Sequence, residues 1–211
     1  LTMVTAVPSP TRDNTSSYTF TTNEAGTISY SGGCSSSDST TAVADQNITI
    51  TFNELADDTY NCSVIVTDNA SNQGTLPVQF IIDTTAPTLN EVTAVSTPTD
   101  NNTPSYTFRS SEAGTITYGG ACGSSTSSAA SSGDNPVSLT RSDNSTPFSD
   151  GTYSDCTIVV TDPAGNVSDA LDVTSFTVSV PPYLTQVTAV PTATSDNTPD
   201  YTFSSTEAGT I

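Results

Sequence analysis

Three stretches of the chain repeat. Leu1–Tyr30 reads LTMVTAVPSPTRDNTSSYTFTTNEAGTISY, Leu89–Tyr118 reads LNEVTAVSTPTDNNTPSYTFRSSEAGTITY, and Leu184–Ile211 reads LTQVTAVPTATSDNTPDYTFSSTEAGTI. Glu24, Glu112 and Glu207 hold the same place in each copy, 88 and then 95 residues apart. A period of that size is one small domain in tandem array. Inside each copy Val, Ile, Tyr and Phe alternate with Ser and Thr, the two-residue period of a half-buried strand. The spacing predicts one unit over 1–87, a second over 88–182, and the opening strands of a third over 183–211. Length, stiffness and multivalent contact come from repetition, whereas a catalytic site is rarely needed several times in a row.

In the first unit the alternation places strands at Val4–Val7, Ser17–Thr22, Gly26–Ser31, Asn47–Phe52, the run from Tyr60 to Val66, and Leu76–Ile82. Turn signals fill each gap, and no helical periodicity of useful length is present. The expected fold class is all-β, an antiparallel sandwich in each unit. The second unit carries six more residues between its cysteines. Most lie in Gly123–Asp150, rich in Ser, Ala and Asn, where Pro136–Thr140 is the best strand candidate. Tyr60 lies two residues before Cys62, but Tyr153 lies three before Cys156, so a β-bulge is expected near Ser154–Asp155.

The 211 residues carry 22 acidic and 3 basic side chains, a net charge of −19. The basic residues are Arg12, Arg109 and Arg141, with no Lys and no His. Such a chain is repelled by nucleic-acid phosphates and anionic membranes, and attracts cations. Neither a nucleic-acid partner nor direct membrane insertion is expected. Cys34 and Cys122 occupy one repeat position, and Cys62 and Cys156 another. One matched pair per unit, without His, argues against zinc and for the disulfides Cys34–Cys62 and Cys122–Cys156. Closing loops of about 30 residues contributes roughly 3–4 kcal/mol each in the chain-entropy estimate. Disulfides place the protein outside the cytoplasm, extracellular or on the cell surface. A Ser nucleophile has no evident base, and no carboxylate pair stands out from the repeat background. An enzyme is therefore not expected.

The joints between units are short: Asp83-Thr84-Thr85-Ala86-Pro87-Thr88 and Ser179-Val180-Pro181-Pro182-Tyr183. Proline restricts itself and the residue before it, so both joints read as extended and stiff. Asp83-Thr-Thr-Ala-Pro closing a unit, Asp150-Gly-Thr-Tyr153 entering a strand, and Thr161-Asp-Pro-Ala-Gly-Asn166 after a strand resemble the bacterial immunoglobulin-like (Big-type) tandem repeats of secreted adhesins and cell-surface proteins. The resemblance implies a seven-stranded sandwich strung in tandem. Tyr60-Asn61-Cys62 also matches the immunoglobulin tyrosine-corner spacing, from which the second unit departs by its extra residue.

The resemblance further implies calcium near the joints, held by carboxylate and amide oxygens. The candidate ligands are Asp68, Asn72, Asp83, Asp162 and Asn166. The competing reading is that Asp68 and Asp162 bond their own turns, with Gly165 at positive φ. The Glu-Ala-Gly run reads as a hairpin turn with its Gly at an unusual φ, rather than as a ligand. The leading expectation is a structural segment of an extracellular fibre, rod or stalk, contacting neighbouring repeats of its own chain or other copies. The alternatives are an adhesin repeat that binds a carbohydrate or protein through Gly123–Asp150, and calcium-stiffened linker repeats. The third copy is expected to belong to a longer chain, with strand addition by a neighbour as the alternative.

Overall fold

The computed structural model describes all 211 residues, Leu1–Ile211, as strands and connections without a helix. The first unit has seven strands: β1 (Thr2–Thr5), β2 (Ser17–Thr21), β3 (Gly26–Ser31), β4 (Thr41–Ala42), β5 (Ile48–Thr51), β6 (Asp58–Thr67) and β7 (Gln73–Ile82). One sheet runs β1-β2-β5 and the other β4-β3-β6-β7. Alternation decides which side chains meet between them. Tyr18 and Phe20 of β2, Cys62, Val64 and Val66 of β6, and Val78, Phe80 and Ile82 of β7 are buried, while the residues between them are half-buried or exposed. Phe52 and Tyr60 stack on Phe80 at 5.4 and 5.5 Å. Each fully buried large side chain contributes about 1.5–3 kcal/mol.

The second unit holds β8 (Leu89–Thr93), β9 (Ser105–Ser110), β10 (Gly114–Gly119), β11 (Cys122–Ser124), β12 (Ala129–Ala130), β13 (Gly133–Arg141), β14 (Gly151–Tyr153), β15 (Thr157–Thr161), β16 (Leu171–Asp172) and β17 (Phe176–Val178). Its sheets run β11-β13-β9-β8 and β12-β10-β15-β16, with β14 paired to β17. Its core shares no residue with the first. β18 (Leu184–Thr188) and β19 (Thr202–Ser205) form the paired opening strands of the third copy.

Three expectations are corrected. Gly123–Asp150 is about half strand rather than one long loop, because β13 pairs inside a sheet between β9 and β11, and β11 and β12 each add a short strand at a sheet edge. Within it Phe148 is 3% exposed and packs on Tyr153 and Phe176, so it offers no aromatic surface to a ligand. The extra residue before Cys156 makes a full break between β14 and β15 instead of a bulge in one strand. Asp155 turns aside, its carboxylate accepting from the Ala121 amide at 3.3 Å. Both units nevertheless keep the tyrosine corner: the Tyr60 hydroxyl donates to the Ala56 carbonyl at 3.0 Å, and that of Tyr153 to Ser149 at 2.9 Å.

The third correction concerns Glu-Ala-Gly. It is not a hairpin turn, because β2 and β3, like β9 and β10, lie in different sheets. Nor does its glycine adopt a positive φ. Gly26 and Gly114 are needed for space: a Cβ there would sit 2.5 Å from the Thr67 carbonyl oxygen and 2.4 Å from that of Thr161. A bulge does recur elsewhere. The register slips at Val4, Val92 and Val187 in the three copies, leaving each valine outward on an edge strand. Such a slip twists the edge away from flat pairing with other chains.

Candidate functional site: the joint between the first two units

The site is built from two equivalent turns and one linker. The residues after β6 form the turn Asp68–Asn72, and those after β15 the turn Asp162–Asn166. In the first, Asp68 Oδ1 accepts from the Ala70 and Asn72 amides at 2.7 and 2.9 Å, and Oδ2 from Asn72 Nδ2 at 2.9 Å. These bonds, the Asn72 side chain foremost, hold the Asp68 carboxyl below its usual range. In the second, Asp162 accepts from the Asn166 amide at 2.9 Å and from Asn166 Nδ2 at 2.8 Å. The asparagine at the end of each turn braces the aspartate at its start.

The second turn does more. Asn166 Nδ2 also donates to the main-chain carbonyl of Asp83 at 2.8 Å, so the turn of unit two grips the strand end of unit one. Two acceptors on one nitrogen fix the amide orientation. That nitrogen, not the amide oxygen, faces the carboxylate, so Asn166 is a brace rather than a metal ligand; Asn72 is turned the same way. Arg12 of unit one reaches the Gly165 carbonyl of the same turn at 3.0 Å.

The linker is tied on both flanks. Asp57 accepts from the Thr84 amide at 2.9 Å, and from the Thr84 and Thr85 hydroxyls at 2.8 Å each. At the far end Thr88 exchanges bonds with Ser111 of unit two, at 2.8 Å to the hydroxyl and 3.0 Å from the amide. Only Ala86 and Pro87 lie between. The second joint repeats part of this plan. Asp150 accepts from the Val180 amide at 2.9 Å, and Tyr183 exchanges bonds with Thr206 at 2.9 and 3.1 Å. Ser179 stands where Asp83 does in the first joint.

Carboxylate oxygens of Asp83, Glu112 and Asp162 lie within 4.8 Å of one another at the first joint. Burial, then the charges of Asp83, Asp162 and Asp57, push the Glu112 carboxyl up. Of the five residues expected as ligands, Asp83, Asp162 and Asn166 therefore meet, whereas Asp68 and Asn72 lie at the other end of unit one. Sequence reasoning set Glu112 aside as a turn residue. Its recurrence at the same place as Glu24 and Glu207 was the signal for it.

The cysteines form the disulfides Cys34–Cys62 and Cys122–Cys156. A cleft of about 510 Å³ beside β10 is lined mostly by hydroxyls and holds no acid or base side chain apart from the Tyr118 phenol. No helix is long and apolar enough to cross a membrane.

No known family profile matches the chain, and no curated protein matches it in sequence. Among solved structures, the fold is similar to the fibronectin(III)-like modules of Clostridium thermocellum CbhA. That likeness has 10% identity and a TM-score of 0.44, covering 85% of this chain and 93% of the other. A second likeness is to the Bacteroides ovatus mixed-linkage glucan utilization locus protein SGBP-B, solved with a mixed-linkage heptasaccharide. It has 14% identity and a TM-score of 0.25, covering 87% of this chain but 46% of that one.

Proposed function

We propose that the chain is a structural segment of an extracellular or cell-surface fibre, rod or stalk. In this reading it is a spacer of stiffly jointed immunoglobulin-like units that does no chemistry. The observation that carries the reading is the linker Asp83–Thr88, hydrogen-bonded to unit one through Asp57 and to unit two through Ser111 and Asn166. A joint with only two residues free of hydrogen bonds, Pro87 and the Ala86 it restricts, has little freedom to bend. The disulfides support an oxidising, extracellular setting. The test is the distance distribution between bio-orthogonal labels at the exposed positions Thr49 and Ser105. A narrow distribution is expected; a broad one, with the units reorienting freely, sinks the rod.

A second reading, calcium stiffening of the first joint, is favoured by the meeting of Asp83, Glu112 and Asp162. Calcium binds oxygens at about 2.3–2.6 Å, so ligand oxygens on opposite sides of one ion lie about 5 Å apart. Three hard carboxylate oxygens at the observed separation fit that donor set. Asp83 comes from unit one and the others from unit two, so an ion there would tie the units together. Calorimetric titration with calcium would show one site, lost in Glu112→Gln; absence of binding heat removes calcium from the account.

A further inference from the structure

Unit one carries the same turn as unit two, but nothing grips it. Asp68, Asn72 and Glu24 occupy the repeat positions of Asp162, Asn166 and Glu112, and the Asp–Asn bracing is already formed with the same bonds. The difference is cover. Asp162 and Asn166 are 5% and 7% exposed against the strand end of unit one, whereas Asp68 is half-buried and Asn72 exposed. Asn72 Nδ2 donates to Asp68 alone, and its second N–H points to no protein acceptor; the matching N–H of Asn166 holds the Asp83 carbonyl. Beside it lies a cleft of about 200 Å³ lined in part by Leu1, Glu24, Asp68, Asn72 and Gly74.

We propose that this end of unit one is the acceptor half of a joint. It takes the C-terminal strand end of a further repeat of this type, tethered on its N-terminal side, whose main-chain carbonyl accepts from Asn72 Nδ2. The inference rests on the rod reading and names the residues that extend it by one repeat. The occupant is a tethered repeat rather than a free second copy. One amide–carbonyl bond is much weaker than the freedom lost when two separate molecules associate. A tether of a few residues supplies the high effective concentration that such a weak contact needs.

The experiment extends the full chain at its N-terminus with a copy of residues 1–88 and measures label distances across both the added and the original joint. The added joint is expected to be as narrow as the original. Asn72→Leu then broadens only the added joint, and Asn166→Leu only the original. An added joint that is broad while the original is narrow overturns the proposal and leaves the rod reading standing. So does an added joint that stays narrow in Asn72→Leu while Asn166→Leu broadens the original. If both joints of the unsubstituted protein are broad, the rod reading fails and this proposal with it. Asn72 is exposed and outside the core, so unit one folds in its variant, which a cooperative melting transition within a few degrees of the unsubstituted protein verifies.

Discussion

The side-chain amide of Asn166 reaches across the joint to the main-chain carbonyl of Asp83, 83 residues earlier, at 2.8 Å, while bracing the buried Asp162 carboxylate at the same distance. One side chain therefore serves both the stability of its own turn and the contact between units. Asn166→Ala leaves Asp162 buried with only main-chain donors. Removing a partner from a buried charged group costs about 1–3 kcal/mol or more. Asn72→Ala removes the equivalent bond in the open, where water replaces it, and is expected to cost below about 1 kcal/mol. Urea denaturation of the two variants checks the difference. Equal losses would show that burial by the neighbouring unit adds nothing.

The tyrosine corners supply a second comparison. Tyr60 and Tyr153 each donate to a carbonyl four residues upstream, whereas the Tyr18 hydroxyl is buried with no protein partner and its pKa is pushed up by that burial. Tyr60→Phe and Tyr153→Phe should each destabilise by about 1 kcal/mol, and Tyr18→Phe should be neutral or stabilising. Thermal denaturation of the three variants measures this. A loss in Tyr18→Phe as large as the others would mean that its hydroxyl is satisfied in solution.

What the sequence made legible follows from periodicity. Tyr18 and Phe20, or Cys62, Val64 and Val66, declare their facing because a strand alternates strictly, and the repeat doubles the signal. Features that depend on contacts between distant elements left no local trace. The meeting of Glu112 with Asp83 and Asp162 depends on how unit two sits on unit one. The demand for glycine at Gly26 and Gly114 comes from Thr67 and Thr161, about 40–50 residues away, and not from φ. The second tyrosine corner survives because the extra residue near Asp155 falls after Tyr153, so the strand breaks beyond the hydroxyl's partner.

The two turns differ at one telling position. Gly165 has φ +91°, as its motif led one to expect, but its counterpart Ser71 holds φ +67° with a side chain. A left-handed conformation costs an ordinary residue about 1–2 kcal/mol, partly offset by the greater freedom glycine has in the unfolded chain. Ser71→Gly should stabilise unit one by about 0.5–1 kcal/mol, and Gly165→Ala should destabilise unit two by a similar amount. Opposite shifts in melting temperature are the expected result; a destabilising Ser71→Gly refutes the strain argument.

Acid sensitivity should be traceable to Asp143. Its carboxylate accepts from the Thr146 hydroxyl and from the Thr146 and Ser145 amides, the latter two at 2.7 and 3.0 Å. These bonds, the Thr146 hydroxyl first, lower its pKa from 3.8 to about 2. A depressed folded-state pKa gives stability that is fully present above the ordinary value and lost as pH falls through the lowered one. Wild-type stability should therefore decline between roughly pH 4 and 2. Asp143→Asn should be less stable at neutral pH and show a shallower decline in that window. Parallel pH profiles for the two proteins would show that the carboxylate's bonds are not kept in solution.

The last prediction joins the glycine requirement to the joint. A Cβ at Gly114 would lie 2.4 Å from the Thr161 carbonyl and 2.8 Å from a Val160 side-chain carbon, and Thr161 immediately precedes Asp162. Gly114→Ala must push β10 from β15 just where the joint turn begins. It is expected to cost about 1–3 kcal/mol, as overpacking does, and also to broaden the Thr49–Ser105 distance by displacing Asp162 and Asn166. Gly26→Ala imposes nearly the same clash, 2.5 Å from the Thr67 carbonyl, beside the open turn of unit one. It should cost a similar amount of stability yet leave that distance unchanged. If both variants broaden it equally, the joint is not governed by the turn of unit two, and the stiffness must lie in the linker's Pro87 and in its bonds to Asp57 of unit one.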